Sequence, residues 1–143
     1  MIIHTASEGI TLSKQLENNS AGFYEKLAKQ YEKGAEVFQS YFTENKKNTV
    51  QIDRAYYGVI TDAIEGGYAF NLETDTYVLS LDIRDGAGYE DAVKQAIAIE
   101  KKIIQFYEEA AEQSKSLLAD VPRAFTLIAR KRKNRLEKLD SLL

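Results

Sequence analysis

Two glutamates, Glu17 and Glu100, hold the same place in two stretches that nearly repeat each other: LENNSAGFYEKLAKQ at 16–30 and IEKKIIQFYEEAAEQ at 99–113. Glu17, Phe23, Tyr24, Glu25, Ala28 and Gln30 recur as Glu100, Phe106, Tyr107, Glu108, Ala111 and Gln113, an offset of 83 positions. If both stretches are helices related by a pseudo-twofold axis, the two carboxylates meet inside the molecule. Carboxylates that meet there hold a metal ion or need a compensating cation, because desolvation and mutual repulsion both oppose ionisation. Taken singly, each residue is equally at home on the half-solvated flank of an amphipathic helix, and the repetition is what favours an interior polar site. The two Phe-Tyr pairs read as core packing, with hydroxyls able to donate to the two carboxylates.

The elements that would position these groups follow from apolar periodicity. Leu16, Ser20, Phe23 and Leu27 fall at helical steps, as do Ile99, Ile103, Phe106 and Ala110. This places helix 1 at about 7–32, stopped by Gly34, and helix 3 at about 89–117. Helix 2, about 36–65, carries Phe38, Tyr41, Ile52, Tyr56, Val59 and Ala63 on its stripe and ends at Gly66-Gly67. Helix 4 begins after LLADVPRAF, where Asp120 can cap free amides and Pro122 suits a first turn that needs no donor. Residues 66–88 form the crossover. Within it TYVLSLDI alternates like a strand but lacks an evident partner, so a short helix or an extended strap fits equally well. Two similar helix pairs joined by one long crossover describe an all-α, antiparallel four-helix bundle in a single domain spanning 1–143.

Aligning helices 2 and 4 by their stripes gives an offset of 87. Phe38, Tyr41, Asn45, Asn48, Ile52 then meet Phe125, Ile128, Arg132, Arg135, Leu139, and the polar interruptions coincide at i and i+3. A slip of one residue on helix 2 offers Glu44 and Lys47 instead.

LENNSAGFYEKLA and IEKKIIQFYEEAA resemble helices 1 and 3 of the rubrerythrin and ferritin-like di-iron carboxylate group, over nearly the whole chain. The resemblance implies a ferritin-like fold, iron oxidation or peroxide reduction, a bridging Glu on each of helices 1 and 3, and a Glu-x-x-His pair on each of helices 2 and 4. Glu17 and Glu100 match the first pair. Where the second set belongs, this chain carries Asn45-x-x-Asn48 and Arg132-x-x-Arg135. Neutral amides are poor iron ligands and guanidinium has no free lone pair. The one histidine, His4, precedes helix 1 at an end expected to fray. The expectation is therefore an internal network of Glu17, Asn45, Asn48, Glu100, Arg132 and Arg135 in place of the metal, with no cofactor and no catalytic residues. The alternative keeps Glu17 and Glu100 as weak ligands of iron or manganese in an oxidoreductase or iron-handling protein.

Composition narrows the rest. Cysteine is absent, which removes disulfides, thiolate metal sites and cysteine nucleophiles, and fits a cytoplasmic protein. A net charge of −3 argues against a general polyanion binder. The run ARKRKNRLEKL carries six Lys/Arg, some expected in the core and the rest on a solvated face; the rest of the chain is acidic and no aromatic stacking surface accompanies the run, so no nucleic-acid role is expected. No stretch approaches the ~18 apolar residues of a membrane span. Tyr56, Tyr57, Tyr68, Tyr77 and Tyr89 cluster near the crossover in sequence, as a packed strap or an interaction surface. The resemblance implies a homodimer, and a non-catalytic module is expected to bind an unidentified protein or small-molecule partner.

Overall fold

Thr5 opens the first helix through a capping box: its hydroxyl accepts from the Glu8 amide at 3.1 Å, and the Glu8 carboxylate accepts from the Thr5 amide at 3.1 Å. The fold that follows is a computed structural model describing residues 1–59, 65–115 and 120–143. Its order is β1 (Ile2–Thr5), α1 (Ala6–Gln30), α2 (Ala35–Tyr57), β2 (Tyr68–Glu73), a 3₁₀ turn (Thr74–Tyr77), α3 (Tyr89–Ser114) and α4 (Asp120–Ser141). Four long helices among the described residues agree with the expected all-α bundle, and a two-stranded sheet is added to it.

Several boundaries differ from the sequence reading. Gly34 does not stop α1, which ends at Gln30. It instead starts α2 with φ of 81°, and its carbonyl accepts the Phe38 amide at 3.0 Å. A glycine suits that left-handed conformation because it has no Cβ to clash. α2 ends at Tyr57 and not near 65: Gly58 is its C-cap, and Val59, expected on the helical stripe, falls in a turn with its amide on the Tyr56 carbonyl at 3.1 Å. Residues 60–64, Ala63 included, lie outside the described residues, as do 116 and 117 at the end of helix 3. The described part of α4 begins with Asp120, whose carboxylate lies in the first turn.

Cross-helix pairs fix the directions. Lys14 bonds Asp53, Glu17 bonds Asn48 and Ser20 bonds Asn45, so α2 descends as α1 ascends. Glu100 meets Arg132 while Phe106 meets Phe125, which runs α3 against α4 in the same way. Phe23, Leu27, Phe38, Ile52, Ile99, Ile103, Phe106, Phe125, Ile128 and Leu139 are buried where the four apolar stripes converge.

The crossover contains a strand, and it lies ahead of the alternating segment TYVLSLDI. Residues 68–73 pair antiparallel with β1, in the register Ile2 to Glu73 and Ile3 to Leu72. The partner is IIHT, so His4, expected at a fraying end, sits in a strand with its ring stacked on Tyr68 at 4.9 Å. Phe70 and Leu72 are buried under this sheet, and Phe70 lies against Gly9 of α1 so closely that a Cβ there would enter the ring. On the outer edge of β2 the Gln113 side chain stands in for a third strand, accepting from the Asn71 amide at 2.8 Å and donating to its carbonyl at 3.2 Å. Of the alternatives open for TYVLSLDI, the extended strap is the one adopted, following the end of the 3₁₀ turn. Gln95 donates to the carbonyls of Ser80 at 2.7 Å and Asp82 at 3.0 Å to hold that strap on α3. The five tyrosines do not share one aromatic surface: Tyr77 packs on Phe106, Tyr89 on Tyr31 and Phe38, Tyr68 on His4, and Tyr56 on Tyr57.

Candidate functional site

At mid-bundle the apolar stripes are interrupted on every helix, and the interruptions face one another. Glu17 and Ser20 come from α1, Asn45 and Asn48 from α2, Glu100 from α3, and Arg132 and Arg135 from α4; all seven are buried. The six residues read from the sequence are thus brought into one network.

Arg132 is its centre. Its Nη1 donates to both oxygens of Glu100 at 2.7 Å, and its Nε donates to Glu17 Oε2 at 3.2 Å. Its Nη2 reaches Ser20 at 3.0 Å and Asn45 Oδ1 at 2.9 Å. One fully enclosed guanidinium therefore touches all three other helices, with 0% of its surface exposed. Its planar fork of five donors suits this better than a lysine ammonium.

Arg135 closes the adjoining level. It donates to Glu100 Oε1 at 3.1 Å and to Glu44 at 2.9 Å, and lies over the rings of Tyr41 and Tyr24 at 4.7 and 5.6 Å. Glu44, the residue that a one-position slip on helix 2 would select, thus joins through Arg135 with its carboxylate part-exposed. Asn48 donates to Glu17 Oε1 at 3.1 Å and accepts from Lys131 at 3.1 Å.

The two tyrosines cross over between the repeats. Tyr24 of α1 donates to Glu100 of α3 at 2.8 Å, and Tyr107 of α3 donates to Glu17 of α1 at 2.5 Å. This accounts for the seven-residue spacing: two helical turns lift each hydroxyl level with the carboxylate on the opposite, oppositely directed helix.

The electrostatics close. Two enclosed carboxylates face two enclosed guanidinium groups, which is the condition for burying either sign. Burial opposes ionisation of Glu100, but Arg132 and Arg135 outweigh it and hold its carboxyl below the ordinary range. Burial would also weaken protonation of Arg132, yet Glu100 and Glu17 raise its pKa well above the usual value. Burial, followed by the neighbouring carboxylate, raises the Tyr24 and Tyr107 hydroxyls well above theirs, so both remain donors. The Asn/Arg difference between the two halves is what balances the site. Arginines in both would leave surplus positive charge, and asparagines in both would strand two carboxylates.

A di-iron centre, implied by the family resemblance, does not fit this donor set. Three of the four carboxylate oxygens of Glu17 and Glu100 accept from a guanidinium, and the fourth, Glu17 Oε1, accepts from Asn48. Among the described residues no group of three or more His, Cys, Asp or Glu is placed to hold a metal ion. His4 belongs to the strand pair at the bundle's edge.

Sequence reasoning did not select Ser20, Glu44 or Lys131. Ser20 carries a visible signal, being the polar residue on the stripe of α1 where α3 has Ile103. Glu44 and Lys131 lie one position off the stripes and join only because Arg135 and Asn48 reach toward them. The basic run divides accordingly, with Arg132 and Arg135 inside, Lys131 half-buried, and Arg130 and Lys133 exposed.

No family model, curated protein or solved structure matches this chain. No helix among the described residues is long and apolar enough to cross a membrane.

Proposed function

We propose that this chain is a ferritin-like bundle of rubrerythrin type in which an Arg–Glu–Tyr network takes the place of the di-iron centre, and that it serves as a non-catalytic scaffold or partner-binding module. The Arg132 guanidinium lying between Glu17 and Glu100 carries this reading. A cation seeking those carboxylates must displace an arginine bonded to every other helix. The oppositely directed pairs α1/α2 and α3/α4, joined by one long crossover, support the ferritin-like topology. A reducing cytoplasmic location and a homodimer belong to the same proposal.

The test is metal analysis of protein purified from cells grown with iron and manganese, followed by peroxide-reduction and ferroxidase assays. Substoichiometric metal and no turnover are expected. Two bound ions that disappear on Glu17→Ala would instead establish the oxidoreductase reading.

A further inference from the structure

The two helix hairpins each leave a groove on their outer face, and the repeat makes each a control for the other. Between α1 and α2 the groove is lined by Ala28, Ala35, Glu36, Gln39, Ser40 and Thr43. The offsets of 83 and 87 carry those positions onto Ala111, Pro122, Arg123, Thr126, Leu127 and Arg130, all of which line the groove between α3 and α4. Both hairpins solve the same packing problem, so packing does not require the second groove to exchange Glu36, Ser40 and Thr43 for two arginines and a leucine.

We infer that the α3–α4 groove is a docking site for an acidic amphipathic helix of a partner protein. The groove encloses about 680 Å³. Its floor is apolar, with Leu127 left 36% exposed above the buried Ala111 and Ala129. Along α4, Arg123 and Arg130 are exposed and make no ion pair among the described residues. Lys133 and Lys115, by contrast, are neutralised by Glu108 at 3.2 Å and Glu112 at 2.7 Å. The unmatched charge on the groove is therefore positive, which disfavours a second copy presenting the same face and favours an anionic occupant.

The geometry selects a helix among anionic occupants. Arg123 and Arg130 are seven residues apart, about 10.5 Å along the axis, matching two carboxylates two turns apart on a docked helix. An apolar side chain between those carboxylates would cover Leu127. Because Glu108 and Glu112 are already paired with Lys133 and Lys115, the unmatched positive charge is confined to two points on α4 and does not form the extended basic surface that a continuous polyanion such as duplex DNA or an anionic bilayer engages. This surface gives the partner-binding reading above its location and rests on that reading.

The probe is a fluorescein-labelled, alanine-based helical peptide with glutamates two turns apart and leucines between them, titrated with the full chain by anisotropy at low and high salt. Saturable, salt-weakened binding is expected. Arg123→Glu with Arg130→Glu should weaken it about tenfold, and Leu127→Ser should weaken it without altering its salt dependence. The matching lysine peptide should bind the charge-reversed variant and not the native chain, while Thr43→Glu in the other groove should change nothing. Circular dichroism melts establish that each variant is folded.

Absence of saturable binding, equal binding by native and charge-reversed chains, or tighter arginine-dependent binding of duplex DNA or of phosphatidylserine vesicles would overturn the docking site. Such a failure in a protein that purifies free of metal refutes the groove alone; stoichiometric metal in the core refutes the scaffold reading whatever the peptide does.

Discussion

The Tyr107 hydroxyl donates to Glu17 at 2.5 Å across ninety positions of sequence, and Tyr24 returns the bond to Glu100 at 2.8 Å. Each half of the chain thus solvates the carboxylate of the other. Tyr107→Phe removes one donor from an enclosed charge and should cost about 1.5–3 kcal/mol. Tyr24→Phe should cost a similar amount and, if the two bonds act through the shared Arg132, the double variant should deviate from the sum. Chemical denaturation of the four species measures both effects.

Arg132 is the group whose loss strands the most charge. Arg132→Met should destabilise by about 3–5 kcal/mol, because two carboxylates lose their main partner in a dry interior. Adding Glu17→Gln and Glu100→Gln to that variant should recover a large part of the loss, since neutral amides need no counter-ion. Urea midpoints of the single and triple variants are the readout, and a triple variant no more stable than the single one would show that charge is not the cause.

Acid should unfold the protein partly through Glu100. Its folded carboxyl titrates below the unfolded value near ~4.3, so the stability it contributes is present above about pH 4.3 and is lost as pH falls through the lower, folded value. The tyrosines act at the other end: their folded pKa values are raised, so their contribution is intact below pH ~10 and disappears as pH rises beyond it. Denaturation midpoints should accordingly decline at both extremes. In Tyr24→Phe/Tyr107→Phe the alkaline decline should be smaller.

Gly9 ties the sheet to the bundle. Alanine is the better helix former by about 1 kcal/mol, yet its methyl group would enter the Phe70 ring. Gly9→Ala should therefore destabilise by about 1–2 kcal/mol once overpacking outweighs propensity. Adding Phe70→Leu should remove most of that penalty, as thermal melts would register.

Much of this architecture is legible in the chain because a helix repeats its environment every three to four residues. The echo between 16–30 and 99–113 aligns Glu17 with Glu100, and the matched gaps at Asn45, Asn48, Arg132 and Arg135 fall on stripes whose other members are apolar. The crossover is less legible. Its strand pairs with residues more than sixty positions away, and no local periodicity announces that Ile2–Thr5 and Tyr68–Glu73 will meet.

By itself the sequence determined that four amphipathic helices would form and which positions would interrupt their apolar faces, since those features depend on neighbours within a turn or two. Tertiary structure alone decided that Arg132, and not Arg135, would bridge both glutamates, that each tyrosine would serve the opposite repeat, and that Glu44 and Lys131 would be drawn in at the margin. Those contacts depend on the depth and facing of helices distant in sequence, where a shift of one residue exchanges the inner side of a helix for its flank.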